Sequence, residues 1–487
     1  MISVNFFRQY ILESTLFWII HIMFTIYVIY KGRENPRSTL IWIMVVNTVP
    51  FVGFIAFLMF GKDTAKSKMF SLKKENDDII EELSKIQYDQ LSQKDYAYKD
   101  LRIEKYKQLI KMSLISDNAY FTEDNKIDLY YWGQDKFEAM FQDIRKAKKS
   151  IDIQYYIFRT DDIGKYFLKL LEEKIKEGVK VRFLYDALGC RRSRKKYFNR
   201  LKDLGAEVYP FFPSLLGLVN VRINYRNHRK IVIIDNKIGY LGGFNVGDEY
   251  VGKDKFFGAW RDTHMRISGG AVLGLKLRFL KDWYYTSGLE VDLDNDLDLT
   301  IVPGGNTASQ VISSGPDTKS QNIKNAMLEM INSAEKEIYI QSPYLVPDQA
   351  VLEALKMALL KGVDLNIMIP AKADHTVVHW CSMSFAKELA KLGGKIYAYN
   401  KGFIHSKTLF VDDALATIGT TNLDERSFKL NFETNLIIYD EEINSKLKAQ
   451  YLIDIEESTL MDEEVFKNRP LYTKIREPIA RLFSPIF

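Results

Sequence analysis

Asn227-His228-Arg229-Lys230-Ile231-Val232-Ile233-Ile234-Asp235 decides how this chain is read, because Ile404-His405-Ser406-Lys407-Thr408-Leu409-Phe410-Val411-Asp412 repeats it. Both segments have the form His-x-Lys-x4-Asp. Counted from each Asp, a Gly follows at seven residues (Gly242, Gly419) and an Asn at ten (Asn245, Asn422). With 6 His among 68 Lys+Arg and 63 Asp+Glu, a loose match is expected about 0.1 times by chance. Two copies with matching trailing residues are therefore a duplication.

The segment from His228 to Ile234 is rich in β-branched residues and meets a turn signal at Asp235-Asn236, then a second apolar run from Ile238 to Leu241. That pattern predicts a hairpin. Alternate residues of a strand share a face, which puts His228 and Lys230 about 6–7 Å apart on one side, with Asp235 of opposite parity and roughly 23 Å along. His405, Lys407 and Asp412 have the same parity. The candidate catalytic set is His228, Lys230, Asp235, His405, Lys407 and Asp412; within it the two Asp are expected to act as turn or framework residues. An imidazole is a nucleophile or acid/base near neutral pH, and an ammonium is a point charge for phosphate oxygens. Displacement at phosphorus through a covalent intermediate needs one group to attack and another to protonate the leaving oxygen. Duplication supplies both.

These residues resemble the phospholipase D superfamily. Tyr185-Asp186-Ala187-Leu188-Gly189, Gly242-Gly243-Phe244-Asn245-Val246-Gly247-Asp248-Glu249-Tyr250, Trp260-Arg261-Asp262-Thr263-His264 and Asn422-Leu423-Asp424-Glu425-Arg426-Ser427-Phe428 narrow the resemblance to its bacterial cardiolipin synthases, over nearly the whole chain. Where the superfamily often has Gly-Ser-x-Asn, the first copy has Gly243, while the second keeps a hydroxyl in Thr420. The resemblance implies phosphatidyl transfer without metal or other cofactor. It also implies His228 as nucleophile and His405 as the acid and then base, with Lys230, Lys407, Asn245 and Asn422 holding phosphoryl oxygens. The symmetry of the two copies by itself does not choose between the histidines. Glu433, 28 residues after His405, stands where the superfamily carries a carboxylate that orients the imidazole, and Asp262 is the candidate in the first half.

At 487 residues, 47% hydrophobic and 27% charged, the chain has the size and composition of two or three folded domains. Its formal charge of +5 suits an anionic membrane surface. Two cysteines, Cys190 and Cys381, make neither a disulfide framework nor a metal-ligand cluster. Ile11 to Tyr30 and Thr39 to Phe60 are apolar runs of 20 and 22 residues, each near the ~20 needed to cross a bilayer as a helix. Trp18, Tyr27, Tyr30 and Trp42 fall where interfacial aromatics are expected. A signal peptide is disfavoured by the second run and by the lack of a small-residue cleavage pattern. Pro50 and Gly53 are tolerated inside membrane helices. Lys31, Arg33 and Arg37 lie between the runs, against Arg8, Lys62, Lys66, Lys68, Lys73 and Lys74 outside them. That distribution predicts a multi-pass cell-membrane protein with cytoplasmic catalytic domains.

Residues 61–113 read as a charged linker helix lying on the globular part, with Ile79, Ile80, Leu83 and Ile86 at helical spacing. Strand-helix alternation then begins, with a strand at Ile151–Phe158, a helix at Gly164–Lys176, a strand at Val179–Tyr185 and the motif hairpin. The second half repeats the order. Ile151-Asp152-Ile153-Gln154 matches Ile338-Tyr339-Ile340-Gln341, Gly178-Val179 matches Gly362-Val363, Leu204-Gly205-Ala206 matches Leu392-Gly393-Gly394, and His228 matches His405. The predicted fold is α/β, with two similar phospholipase D-type domains, 114–295 and 296–487, related by a pseudo-two-fold and preceded by two transmembrane helices in residues 1–60.

The expected substrate is phosphatidylglycerol, one molecule donating a phosphatidyl group to another to give cardiolipin and glycerol, since an anchored enzyme meets both lipids in one bilayer. The alternatives are a phospholipase D-type hydrolase, a nuclease of the same superfamily, and a membrane scaffold. A nucleic-acid partner is disfavoured, because a nuclease has no use for two spans and needs a broader basic track with aromatics. A scaffold is expected to have lost at least one of the four His and Lys side chains. Three further stretches invite a role: Phe211 to Val219 as an apolar lip, Arg191, Arg192, Arg194, Lys195 and Lys196 as a basic cluster for anionic headgroups, and Leu471 to Phe487 as a segment at the membrane surface.

Overall fold

The β-branched runs beside the two motifs become the centres of two sheets. The computed structural model describes residues 2–32, 36–60, 78–93, 96–213, 225–290, 296–297, 304–318 and 320–484. The first half contributes β1 (Phe121–Trp132), β2 (Ser150–Tyr155), β3 (Lys180–Asp186), β4 (Glu207–Phe211), β5 (Arg226–Asn227), β6 (Ile231–Ile234), β7 (Ile238–Gly242) and β8 (Ala259–Ser268). The second contributes β9 (Thr307–Ser314), β10 (Glu337–Gln341), β11 (Leu345–Val346), β12 (Asp364–Pro370), β13 (Lys395–Tyr399), β14 (Gly402–Ile404) and β15 (Thr408–Val411). It continues with β16 (Leu415–Gly419), β17 (Leu423–Asp424), β18 (Asn431–Tyr439) and β19 (Ser458–Leu460).

Strand order is β4-β3-β2-β6-β7-β8-β1 in one half and β13-β12-β10-β15-β16-β18-β9 in the other, joined by the antiparallel pair β1–β9. The two orders mirror each other through that pair. Gly178 and Gly362 both close a helix with φ near +85° (87° and 85°), a conformation that costs glycine least, so the repeat extends to the turns.

Both faces of the central strands are buried, which explains runs that are apolar throughout rather than alternating. Ile231, Ile233 and Leu241 point into a core shared with Phe410, Ile418 and Leu436 of the other half, while Val232, Ile234 and Tyr240 face a core built from the first half and Phe403 of the second. Leu109, Ile110 and Leu114, on a helix at Lys107–Asp117 that crosses the expected boundary at 113, pack with Ile312, Ile323 and Met327 of the second half. Residues 61–77 lie outside the described residues.

The N-terminal helices form a unit of their own. α1 (Ile2–Gly32) contains an apolar stretch, Thr15–Gly32, long enough to cross a bilayer. The second expected span is not one helix. It is divided into α2 (Pro36–Thr48) and α3 (Pro50–Phe60), of 13 and 11 residues. Proline lacks an N–H and disfavours the helical region for the residue before it, so the helix ends at Thr48, ahead of Val49 and Pro50. α3 folds back on α2: Trp42 meets Phe57 with ring centroids 5.7 Å apart, and a Cβ on Gly53 would come within 2.8 Å of the Val45 carbonyl oxygen.

Candidate active site

Each motif begins by leaving its own half. β5 runs parallel to β18 of the second half, and the His228 N–H donates to the Phe432 carbonyl at 2.9 Å. β14 runs parallel to β8 of the first half, and the His405 N–H donates to the Arg261 carbonyl at 2.7 Å. For this reason the ladder of the first hairpin begins at Ile231 rather than at His228 as the sequence pattern predicts. Lys230 Nζ donates to the carbonyl of His228 at 2.6 Å, and Lys407 Nζ donates to that of His405. His228, Lys230, His405 and Lys407 line one pocket of about 680 Å³ together with Asn245 and Asn422. Asn245 accepts from the Ile157 N–H at 3.1 Å and donates to the Tyr250 hydroxyl at 3.1 Å.

Asp235 and Asp412 are not among the lining residues. They sit in the hairpin turns with φ of 52° and 48°. Each carboxylate collects three backbone N–H groups: Lys148, Lys149 and Ser150 for Asp235, at 2.6 to 3.0 Å, and Glu335, Lys336 and Glu337 for Asp412, at 2.8 to 3.0 Å. Each thereby fixes the turn to the start of β2 or β10.

The orienting carboxylates cross between halves. Reading in chain order pairs Glu433 with His405 and Asp262 with His228; the structure does the reverse. His405 Nδ1 is 2.7 Å from Asp262 Oδ2, and His228 Nδ1 is 3.1 Å from Glu433 Oε1. The parallel strand pairs are the cause, because each histidine is aligned on the strand of the opposite half that carries the acid. Asn431 Nδ2 lies 3.3 Å from the same nitrogen of His228 and 3.2 Å from Glu433 Oε1. The surroundings of the acids differ too. Thr420 donates its hydroxyl to Glu433 Oε2, whereas a Cβ at Gly243, the matching position, would lie 1.9 Å from Asp262 Oδ1. Glycine at 243 makes room for the acid.

Burial dominates the electrostatics. It lowers the His405 imidazole to about 4, with Lys407 adding in the same direction and Asp262 opposing, and it lowers His228 against the opposing charge of Glu433. Lowering leaves His228 with a free ring nitrogen, whereas protonation of His405 is favoured by Asp262 and by the negative charge of an entering phosphodiester. Burial also brings Lys407 down to about 7 and Lys230 to about 8, with the acid groups opposing. A phosphodiester entering between the two ammonium groups supplies the counter-charge they lack and favours their protonated forms.

A layer behind the pocket was not read from the sequence. Arg229, fully buried, donates to Asp282 at 2.6 Å and reaches the second half at Thr434 (2.9 Å), while Gln154 donates to the same Asp282 oxygen at 2.7 Å. Arg261 pairs with Asp454 at 2.7 Å, and Gln341 donates to it at 2.8 Å. Gln154 and Gln341 end the matched Ile-x-Ile-Gln segments, a signal present in the repeat. Phe211 and Phe212 of the expected lip are buried beside Phe432; residues 214–219 lie outside the described residues. The basic cluster Arg191, Arg192, Arg194, Lys195 and Lys196 is an exposed face.

Two imidazole–lysine pairs meeting between like α/β halves define the phospholipase D class of fold and site. The family described as "Cardiolipin synthase, PLD-like domain" matches residues 140–255 and 327–454, and "Phospholipase_D-nuclease N-terminal" matches residues 14–62. A cardiolipin synthase of Listeria innocua is 43% identical over 469 residues, covering 96% of this chain and 97% of that protein. The major cardiolipin synthase of Bacillus subtilis is 43% identical over 480 residues (97% and 98%), and one from Staphylococcus aureus is 42% identical over 490 residues (100% and 99%). The phosphatidylserine synthase of Haemophilus influenzae shares the fold at a TM-score of 0.61 and 13% identity, over 78% of this chain and 98% of that one. The chain belongs to the cardiolipin synthase family of phospholipase D-like proteins.

Proposed function

We propose that this enzyme transfers a phosphatidyl group from one phosphatidylglycerol to another, giving cardiolipin and glycerol, in two displacements at one phosphorus. His228 Nε2 attacks the phosphorus of the donor; the bond to the glycerol oxygen breaks, and His405 delivers the proton to that oxygen. A phosphatidyl-histidine results. A glycerol hydroxyl of the second lipid then attacks, His405 takes its proton, and the phosphorus–nitrogen bond breaks. Lys230, Lys407, Asn245 and Asn422 stabilise the charge on the phosphoryl oxygens. Glu433 and Asp262 orient the two rings and stabilise their cationic forms. Asp235 and Asp412 hold the turns.

The observation that carries this reading is that both imidazole–lysine pairs face one pocket, each ring supported by an acid from the opposite half. Membership of a cardiolipin synthase family supports the choice of substrate. The protein is membrane-associated through its N-terminal segment; α1 and the α2–α3 pair are its two membrane elements, and the lysines at 62, 66, 68, 73 and 74 keep the catalytic domains, 114–295 and 296–487, on the cytoplasmic side. Cysteine accessibility at Lys165→Cys in intact cells tests that sidedness. Purified protein with labelled phosphatidylglycerol in mixed micelles tests the reaction: labelled cardiolipin supports it, phosphatidic acid replaces it with hydrolysis, and no turnover of either kind overturns it. Trapped label on His405 instead of His228 would exchange their roles.

A further inference from the structure

The helix Leu471–Arg481 packs the wrong way round for a helix facing water. Its inward stripe is Thr473, Glu477 and Ala480, at 3%, 3% and 2% exposure, and Arg469 neutralises Glu477 at 2.6 Å. Its outward side carries Leu471, Tyr472, Ile475 and Ile479, at 73%, 64%, 54% and 52% exposure, and Leu482 continues the row at 72%. At ~100° per residue these side chains share an arc of roughly 100°, flanked by Lys474 on one side and Arg476 on the other. Single exposed apolar residues are ordinary on a protein surface. A contiguous apolar face bordered by cations is the pattern of a helix that lies in the lipid interface.

The helix is placed beside the catalytic pocket. Arg476 stacks over Trp380 at 4.6 Å and Arg481 over Phe385 at 4.1 Å. Residue numbers therefore rise together along this helix and the neighbouring Thr376–Ala390, and the two run parallel. The same register sets Leu471 and Tyr472 level with His375 and Thr376, which line the pocket, and next to Val377, 41% exposed.

We infer that this face docks on a bilayer carrying anionic phospholipid, beside the mouth of the pocket, so that lipids reach the histidines from the leaflet. Charge selects this occupant. From Lys467 to Arg481 there are five basic residues; Lys467, Arg469 and Arg481 pair with Glu463, Glu477 and Glu388, and Lys474 and Arg476 are the cations that border the apolar face. An anionic leaflet complements those cationic borders. A second copy of the chain, related by two-fold symmetry, would set like-charged borders against each other. Docking itself does not depend on phosphatidyl transfer; only the identity of the lipid that enters the cleft rests on that reading.

The test uses the full-length protein in vesicles of phosphatidylglycerol and phosphatidylcholine. Ile475→Cys and Ile479→Cys carry an environment-sensitive fluorophore, with exposed Lys165→Cys as control, and Cys190 and Cys381 are buried. Brominated acyl chains are expected to quench the first two labels and spare the control. Equal exposure of all three labels to an aqueous quencher overturns the inference. So does self-quenching that rises with protein density and ignores bromination, which assigns the face to a second copy. In a second arm, Ile475→Glu with Ile479→Glu is expected to slow turnover of vesicle phosphatidylglycerol by about tenfold or more, while turnover of a short-chain, monomerically soluble phosphatidylglycerol stays at the wild-type rate. Equal loss on both substrates, or loss on neither, overturns the inference. A wild-type protein that makes no cardiolipin refutes the proposed reaction and leaves the quenching result to decide docking.

Discussion

Glu433→Gln separates the crossed arrangement of the acids from an arrangement within each half. The side chain is fully buried, its Oε1 lies 3.1 Å from His228 Nδ1, and its Oε2 receives the Thr420 hydroxyl. The amide preserves shape and removes charge. When His228 Nε2 bonds to phosphorus, the ring becomes cationic and Nδ1 must keep its proton, so the carboxylate is worth more after attack than before. A charge-assisted hydrogen bond of this kind contributes about 1.5–3 kcal/mol, which corresponds to about 10- to 150-fold in the rate of intermediate formation. Rapid mixing with labelled phosphatidylglycerol, a denaturing quench and recovery of the His228 peptide measure that rate directly. Asp262→Asn is expected to act on His405, slowing proton delivery to the leaving glycerol and proton removal from the incoming lipid. The reasoning is refuted if Glu433→Gln forms labelled His228 at the wild-type rate, or if it reproduces the Asp262→Asn pattern.

Lys407 and Lys230 are lowered to about 7 and 8 by burial, so their cationic forms are present below those values and lost above them; kcat/KM for phosphatidylglycerol is expected to fall as pH rises through 7 to 8, and Lys407→Met is expected to flatten that limb while lowering the plateau. On the acid side, burial holds the His228 nucleophile below the ordinary imidazole value of 6.5, so its neutral form is kept down to that pH, and a decline that begins above pH 7 would contradict that. Asp235→Ala removes the acceptor for three backbone N–H groups, for an expected loss of about 1–3 kcal/mol in stability, read as a lower melting temperature with turnover per folded molecule retained. Arg229→Met removes one of the two guanidinium partners of the buried Asp282, which keeps Arg278 at 2.6 Å, and is expected to cost about 1.5–3 kcal/mol, read in denaturant unfolding.

The sequence reveals the motif pairs, the hairpins and the repeat because each depends on local spacing. His-x-Lys parity is set by one strand, and the Asp235 turn is set by its two neighbours, so both can be read without a partner. The choice of acid for each histidine depends on β5 lying against β18 and β14 against β8, pairings across more than 140 residues that local periodicity does not record. The Arg229–Asp282 and Arg261–Asp454 pairs are hidden for the same reason. The second apolar run misled in a different way. Its length is sufficient for a span, but Pro50 ends the helix and Gly53 lets the chain fold back, so length alone overstated its continuity.

Because Glu433 supports His228 and Asp262 supports His405, neither half owns a finished dyad. Split between the repeats, the gene would yield two fragments, each carrying a histidine without its counter-ion, and catalysis would return only on reassembly. The same interlock couples the two copies in this chain, since a change at 433 is felt at 228 and one at 262 at 405.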